Sequence, residues 1–198
     1  MKKNNYNNTR IVKCALVIGH KQSSQGAFNK TYDIHEFEFN EELAKRIEKK
    51  ILIIYPTIEI IRIYRRTYSS LPSDINESNP DFVISLHCNA FNEKASGSEV
   101  LYYHGSANGN QYANILQEKF VKYLELPNRG IRPKTSEDRG GYLLKNTNAP
   151  CLIAEPFFID NDKDYKIAGV VGYDKLVDAY RYAIIDIASI IQSKKKWE

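Results

Sequence analysis

Two histidines and two glutamates stand where chemistry would be placed. His20 follows an apolar run, Val12 to Ile18, and a single glycine, Gly19. His87 follows a second run, Phe82 to Leu86, and opens the tetrapeptide His87-Cys88-Asn89-Ala90. Glu155 closes a third run, Leu152 to Ala154. In open α/β sheets ligands bind beyond the carboxyl ends of the strands, so these residues are expected to meet on one edge of a sheet. Glu36 is the fourth. It begins a stretch of helical periodicity in which it shares a face with Asn40, Leu43 and Ala44. A carboxylate on that inward stripe needs a counter-charge, and a metal ion would provide one.

Two neutral imidazoles and a carboxylate, with a fourth position left for water, make a common catalytic zinc shell. The same donors suit iron or manganese, so ligand type alone leaves the metal open. A second carboxylate that does not bind the ion can take a proton from water and return it to a leaving nitrogen, and Glu155 is placed for that role. Glu38 is the rival to Glu36, but two residues along a helix turn it about 200° away. His35 and His104 lie in polar surroundings and are left out of the set. Cys88 alternates with His87 along the strand and is expected to face the packing side. Asn89 and Arg132 are candidates for substrate contact. Tyr102, Tyr103 and Tyr142 could stack on sugars, although in a chain with 14 tyrosines ordinary packing is the simpler reading.

The elements that must position these residues alternate along the chain. Strands are expected at Val12–Ile18, Ile58–Tyr64, Phe82–Leu86, Glu99–Tyr103 and around Leu152–Ala154, with a loop over residues 21–34. Amphipathic helices are expected at Glu36–Ile51, Gln111–Leu124 and Lys175–Ile191. Continuous apolar strands between amphipathic helices indicate an α/β domain whose sheet is covered on both faces.

The 198 residues, 42% of them hydrophobic, suffice for one domain with a core that needs neither disulfides nor a structural metal. Three cysteines, Cys14, Cys88 and Cys151, are widely spaced in apolar runs and read as buried free thiols. The net charge of +4 is a mild excess, and the lysines form no basic stripe, which argues against a nucleic-acid partner. The stretch Ile11 to Ile18 is too short to span a membrane and is interrupted by Lys13. The expected organisation is a flexible arm over residues 1–10, a catalytic domain over 11–192 and a basic tail over 193–198. With no signal-peptide pattern, the expectation is synthesis in the cytoplasm and no membrane insertion.

The quoted blocks also resemble a family. Gly19-His20, Gly26-Ala27, Glu36 to Ala44, Ser85-Leu86-His87-Cys88-Asn89-Ala90, Arg129-Gly130-Ile131-Arg132 and Ala149 to Asn161 are similar, in order and spacing, to the zinc N-acetylmuramoyl-L-alanine amidases of the amidase-3 type. The resemblance runs from about Ile11 to Ile190. It implies a single-domain α/β fold with a mixed, twisted sheet of about six strands flanked by helices on both faces. It implies one zinc ion held by His20, Glu36 and His87, with Glu155 as the catalytic carboxylate. It implies hydrolysis of the amide between N-acetylmuramic acid and L-alanine in bacterial peptidoglycan, as in autolysins, spore-cortex enzymes and phage endolysins. An enzyme made without a signal peptide would then reach the wall after phage or mother-cell lysis. The segment Lys21-Gln22-Ser23-Ser24-Gln25 departs from the Gly-rich stretch common in relatives, and Cys88 stands where alanine is frequent. A zinc peptidase cutting within the stem peptide would use the same residues, and a catalytically silent wall-binding protein would share the fold. Oligomeric state is left open.

Overall fold

A computed structural model describes residues 10–194. Most of the proposed arm and the last four residues of the proposed tail lie outside the described residues. Fifteen elements follow one another: β1 Val12–Ile18, β2 Phe28–Asn29, β3 Ile34–His35, α1 Glu36–Ile54, β4 Ile58–Tyr64, α2 Leu71–Glu77, β5 Phe82–Leu86, β6 Ser98–Tyr103, α3 Ala107–Leu124, β7 Asn128–Lys134, α4 Gly141–Asn146, β8 Cys151–Glu155, α5 Asp162–Asp164, a π-helical stretch Tyr165–Val171, and α6 Tyr173–Lys194. Six strands form one sheet in the order β4-β1-β5-β8-β6-β7, and β2 pairs with β3 as a separate short ribbon. The four strands β4, β1, β5 and β8 are parallel, β6 runs antiparallel to β8, and β7 is parallel to β6. The α/β sheet expected from the strand and helix pattern is present, with the mixed six-stranded form that the family resemblance implies.

Alternation along the strands divides the interior into two cores. Cys14, Leu16, Ile18, Phe82, Ile84 and Leu86 face the larger core, which α1, α3 and α6 cover with Leu43, Ile47, Leu116, Phe120, Tyr180 and Ile184. Ala15, Val17, Val83, Cys151 and Ile153 face a smaller one, closed by Leu71 and Ile75 of α2 and Leu143 and Leu144 of α4. The short helices α2 and α4 leave the carboxyl ends of the central strands uncovered on that side, and a cavity of about 510 Å³ opens there.

Several elements differ from the sequence expectation. The sixth strand, β7, contains Gly130 and Pro133, which disguise it. It pairs only with β6, and an edge strand tolerates a proline because one side of its ladder needs no donor. Helix α3 begins four residues early, through the weak helix formers Asn108, Gly109 and Asn110, because the Ser106 hydroxyl caps it by accepting from the Gly109 N–H at 2.9 Å. Helix α6 continues through Ser193 and Lys194, into the segment read as a tail. Its Gln192 amide donates to the Arg10 carbonyl at 3.0 Å. All three cysteines are free and buried, and Cys88 packs in the larger core.

Helix α1 carries Glu36 and is held by residues such as Leu43, which is fully buried. Leu43→Ala is expected to lower stability by about 2–5 kcal/mol through lost burial and a residual cavity, read as a drop in the urea midpoint.

Candidate functional site

The strand β1 ends in Gly19-His20, and His20 sits in the left-handed region at φ 66°. Non-glycine residues rarely adopt that conformation, and here it turns the chain sharply off the sheet edge. Gly19 leaves no room for a side chain: a Cβ there would lie 2.3 Å from the Leu86 carbonyl oxygen and 2.7 Å from the His87 ring. The β1 turn and the β5 end are therefore pressed together, which sets the two imidazoles 5.3 Å apart, centroid to centroid, at 71°.

Glu36 lies at the start of α1, only 3% exposed at its side chain. The ribbon β2–β3 and the loop before it hold this helix end, with the Glu36 N–H donating to the Ala27 carbonyl and the Phe37 N–H to that of Gln25, both at 2.9 Å. Glu36 Oε2 lies 3.1 Å from His20 Nε2, and Oε1 lies 3.0 Å from His87 Nδ1. The backbone N–H groups of Ala27 and Cys88 donate to the same carboxylate at 3.2 and 3.0 Å. Burial pushes the Glu36 carboxyl up, but hydrogen bonding and charge from His20 and His87 outweigh it and hold the group well below the ordinary range. One donor atom from each of His20, Glu36 and His87 lies within 4.8 Å of the others, so the three form a group that could hold a metal ion. Gly26, at φ 81°, seals this group: a Cβ there would come within 2.6 Å of both Glu36 Oε2 and the His20 ring. Glu38 is not in the cluster, because its carboxylate accepts from the His35 N–H at 3.3 Å and caps the helix.

Glu155 ends β8 on the face of the smaller core and lines the cleft with His20 and His87. Its Oε2 is enclosed and has no hydrogen-bond partner among the described residues. Burial first, and then the negative charges of Glu36 and Glu99, push its carboxyl well above the usual range, against a smaller opposing effect of Arg139. A carboxyl so placed has a raised affinity for a proton, which is what a group that accepts and returns one requires.

Asn89 and Arg132 converge on a residue that sequence reasoning missed. Glu99 accepts from Asn89 Nδ2 at 2.7 Å, Arg129 Nε at 3.1 Å and Arg132 Nε at 3.3 Å. Asn89 also lines the cleft, while its backbone joins the ends of β5 and β8 through Phe157 and Ile159. Glu99 stands directly opposite Glu155 in the antiparallel β6–β8 register. Its only sequence signal was a charge heading an apolar strand. Tyr142 lines the cleft, as do Tyr68, Arg65 and Arg139, which the sequence had not singled out.

A parallel-centred sheet thus delivers His20, His87 and Glu155 to one cleft, with Glu36 buried behind the two imidazoles in a group that could hold a metal ion. The chain belongs to the N-acetylmuramoyl-L-alanine amidase family, which matches residues 14–186. It is 26% identical over 168 residues, 81% of this chain, to the N-acetylmuramoyl-L-alanine amidase LytC of Bacillus subtilis, and spans 32% of that relative's length. An N-acetylmuramoyl-L-alanine amidase from Clostridium difficile superposes with a TM-score of 0.80 at 21% identity, over 89% of this chain and 96% of its own. The catalytic domain of the CD27L endolysin, which targets Clostridia difficile, superposes at 0.74 with 24% identity, over 88% and 97%. These two likenesses establish the shared fold. No described helix is long and apolar enough to cross a membrane.

Replacing Glu99 by alanine would leave Arg129, Arg132 and Asn89 without their shared acceptor. The expected loss is about 1–3 kcal/mol, measured as a lowered thermal midpoint.

Proposed function

We propose that this protein is a zinc-dependent amidase that hydrolyses the bond between N-acetylmuramic acid and L-alanine in peptidoglycan. The observation that carries this reading is the buried Glu36 carboxylate shared between His20 and His87 in a chain of this family. His20, Glu36 and His87 would hold one zinc ion. The donor set suits it, since two imidazoles and a carboxylate leave a position for water. When bound, zinc supplies a Lewis acid for the scissile carbonyl and lowers the pKa of water.

The chain's own residues do the rest. The α1 N-terminus and the loop at Gln25 to Ala27 fix Glu36, so the donor atoms are drawn together by the fold. Glu155 Oε2, with no competing hydrogen bond, takes the proton from the attacking water. The same carboxyl then delivers that proton to the nitrogen of L-alanine as the C–N bond breaks, leaving a free amine on the peptide and a carboxylic acid on the lactyl group of the sugar, which then loses its proton to solvent. The raised proton affinity of Glu155 favours holding the proton between these steps. Asn89 acts here through Glu99, keeping the turn after His87 in register with β8. Arg132 completes the same Glu99 contact from β7.

Peptidoglycan is the proposed partner.

Mass spectrometry of material released from purified walls tests the reaction. Free L-alanine amino termini and peptide-free glycan are expected, and cleavage confined to bonds within the stem peptide would replace this reading with a peptidase. Glu155→Gln is expected to reduce lysis at least a thousandfold while zinc content stays near one per chain; near-normal lysis would remove Glu155 from its role. Gly26→Ala, which crowds both Glu36 and His20, is expected to weaken zinc retention by about tenfold or more in a competition with chelator.

A further inference from the structure

One wall of the cleft is aromatic and has no part in the chemistry above. Tyr68 precedes α2 and Tyr142 lies in the first turn of α4, and both line the cleft that holds His20, His87 and Glu155. They are 43% and 40% exposed. Their rings stand 5.6 Å apart, inclined at 46°. Tyr142 is tied to the neighbouring segment. The Tyr142 hydroxyl donates to the Ser69 carbonyl at 3.0 Å, bridging α4 to the turn before α2. The Arg65 guanidinium lies 6.0 Å from the centroid of the Tyr68 ring. Two tyrosines side by side in a cleft offer a wide, amphipathic contact surface that loses little entropy on binding.

The two halves of the amidase substrate differ in what they ask of a protein. The glycan is a row of N-acetylated pyranoses, each with an apolar face of C–H groups edged by hydroxyls. The stem peptide carries carboxylates. The aromatic rings line the cleft from the segment before α2 and the first turn of α4, while the end of β7 and the connection to α4 line it with charged side chains of both signs, Lys134, Glu137, Asp138 and Arg139. We propose that Tyr68 and Tyr142 form a stacking platform for a pyranose ring of the glycan, so that the strand of sugars lies along the α2–α4 side of the cleft and the stem peptide lies off that platform. This rests on the amidase reading and specifies how the substrate lies in the site.

The two ligand halves can be tested apart, by NMR titration of the whole chain with zinc present. One probe is a neutral tetramer of N-acetylglucosamine, which the enzyme does not cleave, and the other is a free L-alanyl-D-glutamyl peptide. Tyr68→Leu and Tyr142→Leu keep apolar bulk and remove the ring. Each is expected to weaken binding of the sugar tetramer about tenfold, and Tyr68→Trp to restore it, while the peptide's affinity moves less than twofold. Tyr142→Leu also loses the contact with Ser69, so if its thermal midpoint falls the Tyr68 pair of variants decides the matter. The platform is overturned if the tetramer does not bind the unaltered protein, if its affinity is indifferent to both rings, or if the peptide is the probe that weakens. Wall hydrolysis by the unaltered protein is followed separately: an unaltered protein that hydrolyses walls but does not bind the tetramer refutes the platform alone, and absent hydrolysis refutes the amidase reading.

Discussion

A carboxylate taken almost entirely out of water must be given partners, and Glu36 is the group on which the site depends. Alone at the start of a buried helix it would be protonated or would pull the helix end toward solvent. Instead four donors reach it: two imidazoles and two backbone N–H groups. Those donors come from three separate segments, the turn after β1, the end of β5 and the loop at Ala27. Satisfying one buried charge therefore ties together the parts of the chain that a metal centre needs close, and the burial that makes the group demanding also keeps it rigid.

The close approaches at Gly19 and Gly26 serve the same end. Each glycine stands where a methyl group would strike an imidazole, and at Gly26 it would also strike the Glu36 carboxylate. The strained backbone at His20 belongs with them, because a side chain leaving an ordinary strand end would follow the alternation of the sheet, whereas the left-handed turn redirects it.

The antiparallel strand β6 adds a second acidic layer. It sets Glu99 opposite Glu155, and a carboxylate beside another raises the second group's hold on its proton. Glu99 itself accepts hydrogen bonds from Arg129, Arg132 and Asn89. The negative charge of Glu99 thus acts on the Glu155 carboxyl from across the ladder, within the same cleft. The thin covering of the sheet on this face, two short helices where the other face has three long ones, leaves the cleft open and brings the aromatic wall to its rim.

Much of this was legible in the chain itself. Five strands and three helices could be read from apolar runs and helical periodicity, because those patterns are local and follow from which residues must leave water. The grouping of His20, Glu36, His87 and Glu155 could be read from their places at strand ends and at the start of α1, since topology sends parallel strand ends to one edge. The edge strand β7 escaped because Gly130 and Pro133 speak against a strand unless its unpaired side is known. Glu99 escaped because its meaning lies in the residue across the ladder, and antiparallel register is set by pairing between segments far apart in sequence. The tyrosine wall could not be separated from fourteen tyrosines by spacing. The sequence by itself determined the kinds of donor and the strand ends that deliver them. Only the tertiary structure decided which side chains share a charge, a register or a face of the cleft, because those contacts join segments that no local pattern links.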